Sequence, residues 1–316
     1  MYAALMVSMA TMQTPPQTVV PLHLSGNTSE TQNQAIQVLL NEAMQGAYKT
    51  ALDQLDKQTA QAVLDVKEKL KQEIAEIVVG AIHRYAVSDK FKDECVHSNR
   101  VYPPTYRPRS IEAQVTELRR VFPELQYCNE KLARRPLPGE AEAWFAIPRW
   151  QAIAPTYNEA VERMIEYLSA KRRFSNRILG RLNKQYLRES ERTQLAQSIL
   201  AEQQPQSDIF VVGAQFGMLH RGSSARRTRA VMACNEFALG TFAIGCMLLT
   251  HPERLSNAQT LMIDCGGDEY SIGGDYTFDR VPLFDYDISG IEFSIFYEDR
   301  ARNLWGTPTA FLFQQM

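Results

Sequence analysis

Three groups of side chains in this sequence are spaced to do chemistry. The first is a ladder of cations: Arg173, Arg177, Arg181, Lys184, Arg188 and Arg192, separated by four, four, three, four and four residues. On a helix those steps put all six on one face, where they can follow a phosphate backbone and hold the protein on it without reading bases. Phe174, Ile178, Leu182 and Tyr186 form an apolar row beside it, which fits core packing.

The second group is His220-Arg221-Gly222-Ser223-Ser224, followed by Arg226, Arg227 and Arg229. Ser223 or Ser224 can cap a helix that starts near Ala225. Arginines at the positive end of a helix are unfavourable unless an anion joins them. The cluster therefore reads as a site for phosphate, for nucleic-acid backbone, or for a carboxylate of this same chain. It has no P-loop pattern of glycine and lysine.

The third group is acidic. Asp264, Asp268, Glu269 and Asp275 sit in glycine-rich turns. Asp264, Asp268 and Glu269 can hold a divalent cation, the one cofactor this pattern admits, and with His220 or His251 nearby they can support metal-assisted hydrolysis. EF-hand spacing is absent, as are GxSxG, HExxH and the dinucleotide fingerprint, so no catalytic residue is assigned. His83, Cys95, His97 and Cys128 do not make a compact zinc motif.

These groups need elements to position them. Ile209-Phe210-Val211-Val212 is strand chemistry. The stretch from Ala225 to Leu249 reads as one helix, apolar on nearly every side past Ala230 and stopped by Pro252. Tyr157 to Leu200 reads as helical, with Gly180 as its weak point. Ile111 to Arg120 has Ile111, Val115 and Leu118 on one face. From Thr31 to Tyr85 apolar residues recur in steps of three and four, through Ile36, Leu40, Met44, Tyr48, Leu52 and Leu55. They resume from Val63 through Val66, Leu70, Ile74, Ile77 and Ala81, as one long helix or two joined near Lys57. Such a stripe needs a partner helix, from this chain or another copy. Trp144-Phe145-Ala146-Ile147-Pro148-Arg149-Trp150 reads as a core anchor, or more sharply as a stacking platform.

The expected fold class is α+β. It comprises a long N-terminal amphipathic helix or helical hairpin, a helical middle, and a small, mostly antiparallel C-terminal sheet packed on the apolar helix and joined by the 209–212 strand. The expected divisions are a flexible leader over 1–30, a helical arm over 31–85, an irregular connector with a short helix over 86–150, and an α+β module over 151–316. The net charge of −2 excludes a global attraction to nucleic acid or acidic lipid, and leaves only local patches. Five scattered cysteines without CxxC suit a reducing, cytoplasmic setting. No stretch has transmembrane length, and no membrane partner is expected.

The leading expectation is a non-enzymatic nucleic-acid-associated or assembly protein. Arg173, Arg177, Arg181, Lys184 and Arg188 would contact phosphate, His220, Arg221, Arg226 and Arg227 would form a second anion site, and residues 31–85 would make a homo-oligomer. One alternative is a structural oligomer whose basic helix pairs with the acidic 261–299 segment. The other is a metal-dependent hydrolase on the acidic glycine-rich turns.

Overall fold

The computed structural model describes residues 30–52, 56–85, 90–288 and 290–313. The expected leader lies outside them except for Glu30. Ile36, Leu52, Leu55, Ile77, Ala81, His83 and Tyr85 lie outside the described side chains. The chain divides into two compact units, Met1–Ala75 and Glu76–Met316.

The first unit carries helices α1 (Glu30–Leu52) and α2 (Lys57–Asp65) and the start of α3 (Lys67–Tyr85). Asp56 caps α2 by accepting the Thr59 N–H at 2.7 Å. No residue of α2 is buried, and Met44, Tyr48, Val66, Leu70 and Ile74 are exposed.

The second unit combines two sheets with helices, so the chain is α+β. Strands β1 (Ala143–Pro148), β4 (Ile209–Gln215), β5 (Glu236–Ala238) and β11 (Thr309–Phe311) form one antiparallel sheet in the order β1-β4-β11-β5. Every residue of β4 is buried, because its β-branched and aromatic run lies in the middle of that sheet. The second sheet runs β10-β6-β8-β7-β3, with β9 paired to β8 and β2 to β9. Its strands are β2 (Phe174–Asn176), β3 (Leu187–Glu189), β6 (Met262–Asp264), β7 (Asp268–Tyr270), β8 (Arg280–Asp287), β9 (Gly290–Tyr297) and β10 (Trp305–Gly306). It is mostly antiparallel, with parallel pairs at β10·β6 and β2·β9. The 209–212 strand does not join it; β4 pairs with β1 and β11 instead.

Helix α4 (Ile111–Val121) is capped by Ser110 and buries Ile111, Val115 and Leu118. The Gln114 amide ties it to β1, donating to the Trp144 carbonyl and accepting the Ala146 N–H. The stretch expected as a connector thus supplies a helix and a strand to the main core.

Two expected helices are corrected. The run from Ala225 is α7 (Ala225–Val231), then β5, then α8 (Thr241–Thr250). The sheet takes Glu236–Ala238 because β11 pairs with it and because the Glu236 carboxylate finds buried partners in His220 and Thr309. Only α8 is apolar all round; all ten of its residues are buried, and it packs on α4, β1 and α5 (Tyr157–Lys171).

The second correction concerns the cation ladder. Only α5 and α6 (Glu191–Gln203) are helical; between them run β2, turns and β3. Phe174–Asn176 extends the sheet beside β9. Gly180 adopts φ +77°, a left-handed turn that ends any helical path. The Asn158 side chain donates to the Leu187 carbonyl at 3.0 Å and also to the Leu182 carbonyl, pinning the loop to α5. Long-range pairing has overridden a helical period, so Arg173, Arg177, Arg181, Lys184, Arg188 and Arg192 share no helix face. Among the described residues no helix is long and apolar enough to cross a membrane.

Candidate functional site

Strand β3 alternates: Leu187 and Glu189 are buried, Arg188 is exposed. It pairs antiparallel with β7, with Glu189 directly opposite Asp268 and Arg188 opposite Glu269. Outward, that register makes an ion pair, with Arg188 and Glu269 at 2.7 Å. Inward, it sets two carboxyls against each other, Glu189 at 7% and Asp268 at 0% exposure. Opposed like charges destabilise a sheet, so both cannot ionise freely.

Their surroundings divide the roles. Asp268 accepts the Tyr157 hydroxyl at 2.7 and 2.8 Å and the Thr241 backbone N–H at 2.7 Å. The Phe242 N–H reaches the Tyr157 oxygen at 3.4 Å. Gly240, the N-cap of α8, has no side chain to serve these N–H groups, so Asp268 and Tyr157 cap the helix from across the core. Burial pushes the Asp268 carboxyl up to about 6, opposed by the Thr241 and Tyr157 bonds that favour its charge.

Glu189 has weaker support. Its carboxyl accepts from the Gln197 amide. The Trp150 indole comes near enough to favour the ionised form slightly, yet its N–H makes no hydrogen bond. Burial, and then the Asp268 charge, push Glu189 up to about 8, so it carries its proton at neutral pH.

Glu189 opens onto a cleft of about 570 Å³, walled by Trp150, Phe210 and Leu187, with the amides of Asn158, Gln194 and Gln197. Arg149, Lys184 and Arg188 stand along it. A smaller cavity of about 30 Å³ reaches inward past Tyr157, Glu189 and Gln197 to Thr193 and Gly240. That is room for about one or two waters on polar partners. The arrangement offers a neutral acid that can donate a proton, beside an ionised neighbour that is already hydrogen-bonded.

Of the residues singled out in the sequence, Lys184 and Arg188 line this cleft and Asp268 lies behind Glu189; the others fall elsewhere. Arg177 pairs with Glu292 at 2.9 Å and Arg188 with Glu269. Arg192 donates to the Glu236 and Ala233 carbonyls. Arg173, Arg181 and Lys184 are exposed, and Lys184 alone of the three lines the cleft. Ser224 caps α7 by accepting the Arg227 N–H at 2.9 Å. The Glu94 carboxylate sits there too, bound by the Ser224 hydroxyl and by Arg226. Arg227 donates to the Ser223 hydroxyl, Arg221 to the Arg100 carbonyl, and His220 meets Glu236 at 2.7 Å. Arg229 braces the acidic turn, donating to the Gly266 and Asp268 carbonyls and pairing with Glu298.

The three acidic candidates do not converge. Asp268 faces inward, Glu269 outward to Arg188, and Asp264 is buried with one oxygen unpartnered and its carboxyl pushed up to about 7, chiefly by burial. Among the described residues no group of three or more His, Cys, Asp or Glu side chains is placed to hold a metal. Trp144 stacks on Phe313, Phe145 is core, and Trp150 lines the cleft.

Sequence reasoning missed Glu189. The signal was present: Leu187-Arg188-Glu189 alternates, and Ser190 follows as a helix cap with Thr193 at the right spacing. No protein family, curated protein or solved structure matches this chain.

Proposed function

We propose that the cleft is an acid–base site and that the protein is an enzyme cleaving a bond to oxygen in a small organic substrate. Glu189 gives its proton to the leaving oxygen, water adds to the other fragment, and the proton that water releases returns to Glu189. Asp268, held by Tyr157 and the start of α8, is the positioning residue that keeps Glu189 protonated. The observation that supports this reading is the buried cross-strand pair in which only Glu189 lines a cleft. A general acid of this kind contributes roughly 10²–10⁴-fold to a rate.

The test is a panel of nitrophenyl esters, phosphates and glycosides. Turnover that falls about 10²-fold or more in Glu189→Gln, and in the wild type declines above pH 8 as Glu189 loses its proton, supports the reading. Turnover indifferent to Glu189→Gln on every substrate rejects it.

A second reading is favoured by a separate observation. Met44, Tyr48, Leu70 and Ile74 are exposed on the helices of the first unit, which suits an assembly protein whose copies associate through residues 31–85 as a coiled coil. Arg173, Arg181 and Lys184 would then offer contacts to a phosphate backbone. Light scattering of the whole chain and of a chain lacking 1–75 tests it; equal monomer masses reject it.

A further inference from the structure

We infer that the cleft takes an organic anion, its phosphate or carboxylate group held between Arg149 and Lys184 and its body laid against Trp150. This rests on the reading that the cleft is the functional site, and names the class of molecule it receives.

The charges around the cleft carry the argument. Among the described residues three cations line it, and Glu189 is the one carboxyl in that lining. Arg188 is already committed: it pairs with Glu269 at 2.7 Å and lies 3.8 Å from the centre of the Phe278 ring. Among the described residues no carboxylate pairs with Arg149 or Lys184. The Arg149 guanidinium is nevertheless held in place, over the Phe210 ring at 5.4 Å. Its backbone is fixed too, through the Arg149 N–H to the Asp208 carbonyl at 2.8 Å. Arg149 and Lys184, beside a protonated acid and a set of neutral amides, give the lining of the cleft a net positive charge that attracts an anion. Arginine also supplies the planar pair of donors that phosphate and carboxylate accept. Trp150 is half-buried, with its ring edge-on to Tyr157, and so offers a fixed apolar face.

The experiment is calorimetric binding to the full chain at low ionic strength. Phenyl phosphate and benzoate serve as anionic probes, with phenyl glucoside as the neutral control. Both anions are expected to bind more tightly than the glucoside, and to weaken as salt is added. Their order tells phosphate from carboxylate. Arg149→Ala and Lys184→Ala are each expected to weaken the anions about three- to tenfold. Lys131→Ala, an exposed cation outside the cleft, should leave them unchanged. Equal binding of glucoside and anions, anion binding indifferent to the Arg149→Ala/Lys184→Ala double variant, or no binding at all would overturn the inference. Glu189-dependent turnover of neutral substrates without anion binding rejects this inference alone. Anion binding at Arg149 and Lys184, with turnover indifferent to Glu189→Gln, rejects the acid–base reading alone.

Discussion

Glu189 carries two consequences that can be measured without knowing a substrate. Its carboxyl is pushed up to about 8 in the fold, from 4.5. Below the lower value both folded and unfolded chains hold the proton. As pH rises through the window the unfolded chain releases it first, so stability falls between about pH 4.5 and 8, by on the order of 3–5 kcal/mol. Glu189→Gln should flatten that fall, and should leave the protein more stable than wild type above pH 8 in urea titrations. His251 works in the other direction. Burial holds its imidazole down to about 4, between the Arg109 N–H and Thr250. Stability should therefore drop as pH falls from 6.5 towards 4, and urea midpoints for His251→Gln should show a shallower acid limb. At this scale the sequence was least informative. Asp268 stood out as an acid in a glycine-rich turn, but its partner lies across a strand register; the alternation at Leu187-Arg188-Glu189 marks Glu189 as inward-facing but not as opposed to Asp268. Opposition of two residues in a sheet is a property of pairing, not of local spacing.

At the scale of elements, the start of α8 leaves no room for a side chain. A Cβ added at Gly240 would lie 2.5 Å from an Asp268 oxygen and 2.7 Å from the Tyr157 hydroxyl. Gly240→Ala should therefore cost about 1–3 kcal/mol by overpacking, read from urea midpoints. It should also disturb Glu189 titration, since the atoms displaced are those beside it. Strand β5 depends on Glu236. Burial opposes its charge, but His220, Thr309 and the Ala233 N–H hold its carboxyl below the usual range. Glu236→Ala strands those partners in the core and should cost about 3–5 kcal/mol by the same measurement. Elements with clean local signals were legible: the 209–212 strand and the 111–120 helix. The 172–189 stretch was not. Its cations and aliphatics recur every three or four residues, which is a helical period, yet pairing with β9 and β7 and the left-handed Gly180 give it strands and turns. The 225–249 stretch failed similarly, because its apolar content reports burial, and a buried strand and a buried helix look alike.

At the scale of the whole molecule, the α+β class agrees with the sequence; the near-neutral charge balance is a property of composition. The balance also has a structural form. Cations between 173 and 229 meet carboxylates between 269 and 298 in pairs such as Arg177 with Glu292, Arg188 with Glu269 and Arg229 with Glu298. Sequence showed the two populations but not which of their members touch. Among the described residues no carboxylate pairs with Arg149 or Lys184 along the cleft. An acid–base role for the cleft requires Glu189 to hold its proton at neutral pH. Carboxyl-carbon NMR of the glutamate-labelled chain, titrated from pH 4 to 10 with Glu189→Gln to assign the signal, measures it directly. A Glu189 resonance that titrates near pH 8 is expected; a Glu189 that titrates near 4.5, as a solvated glutamate does, would overturn the acid–base reading.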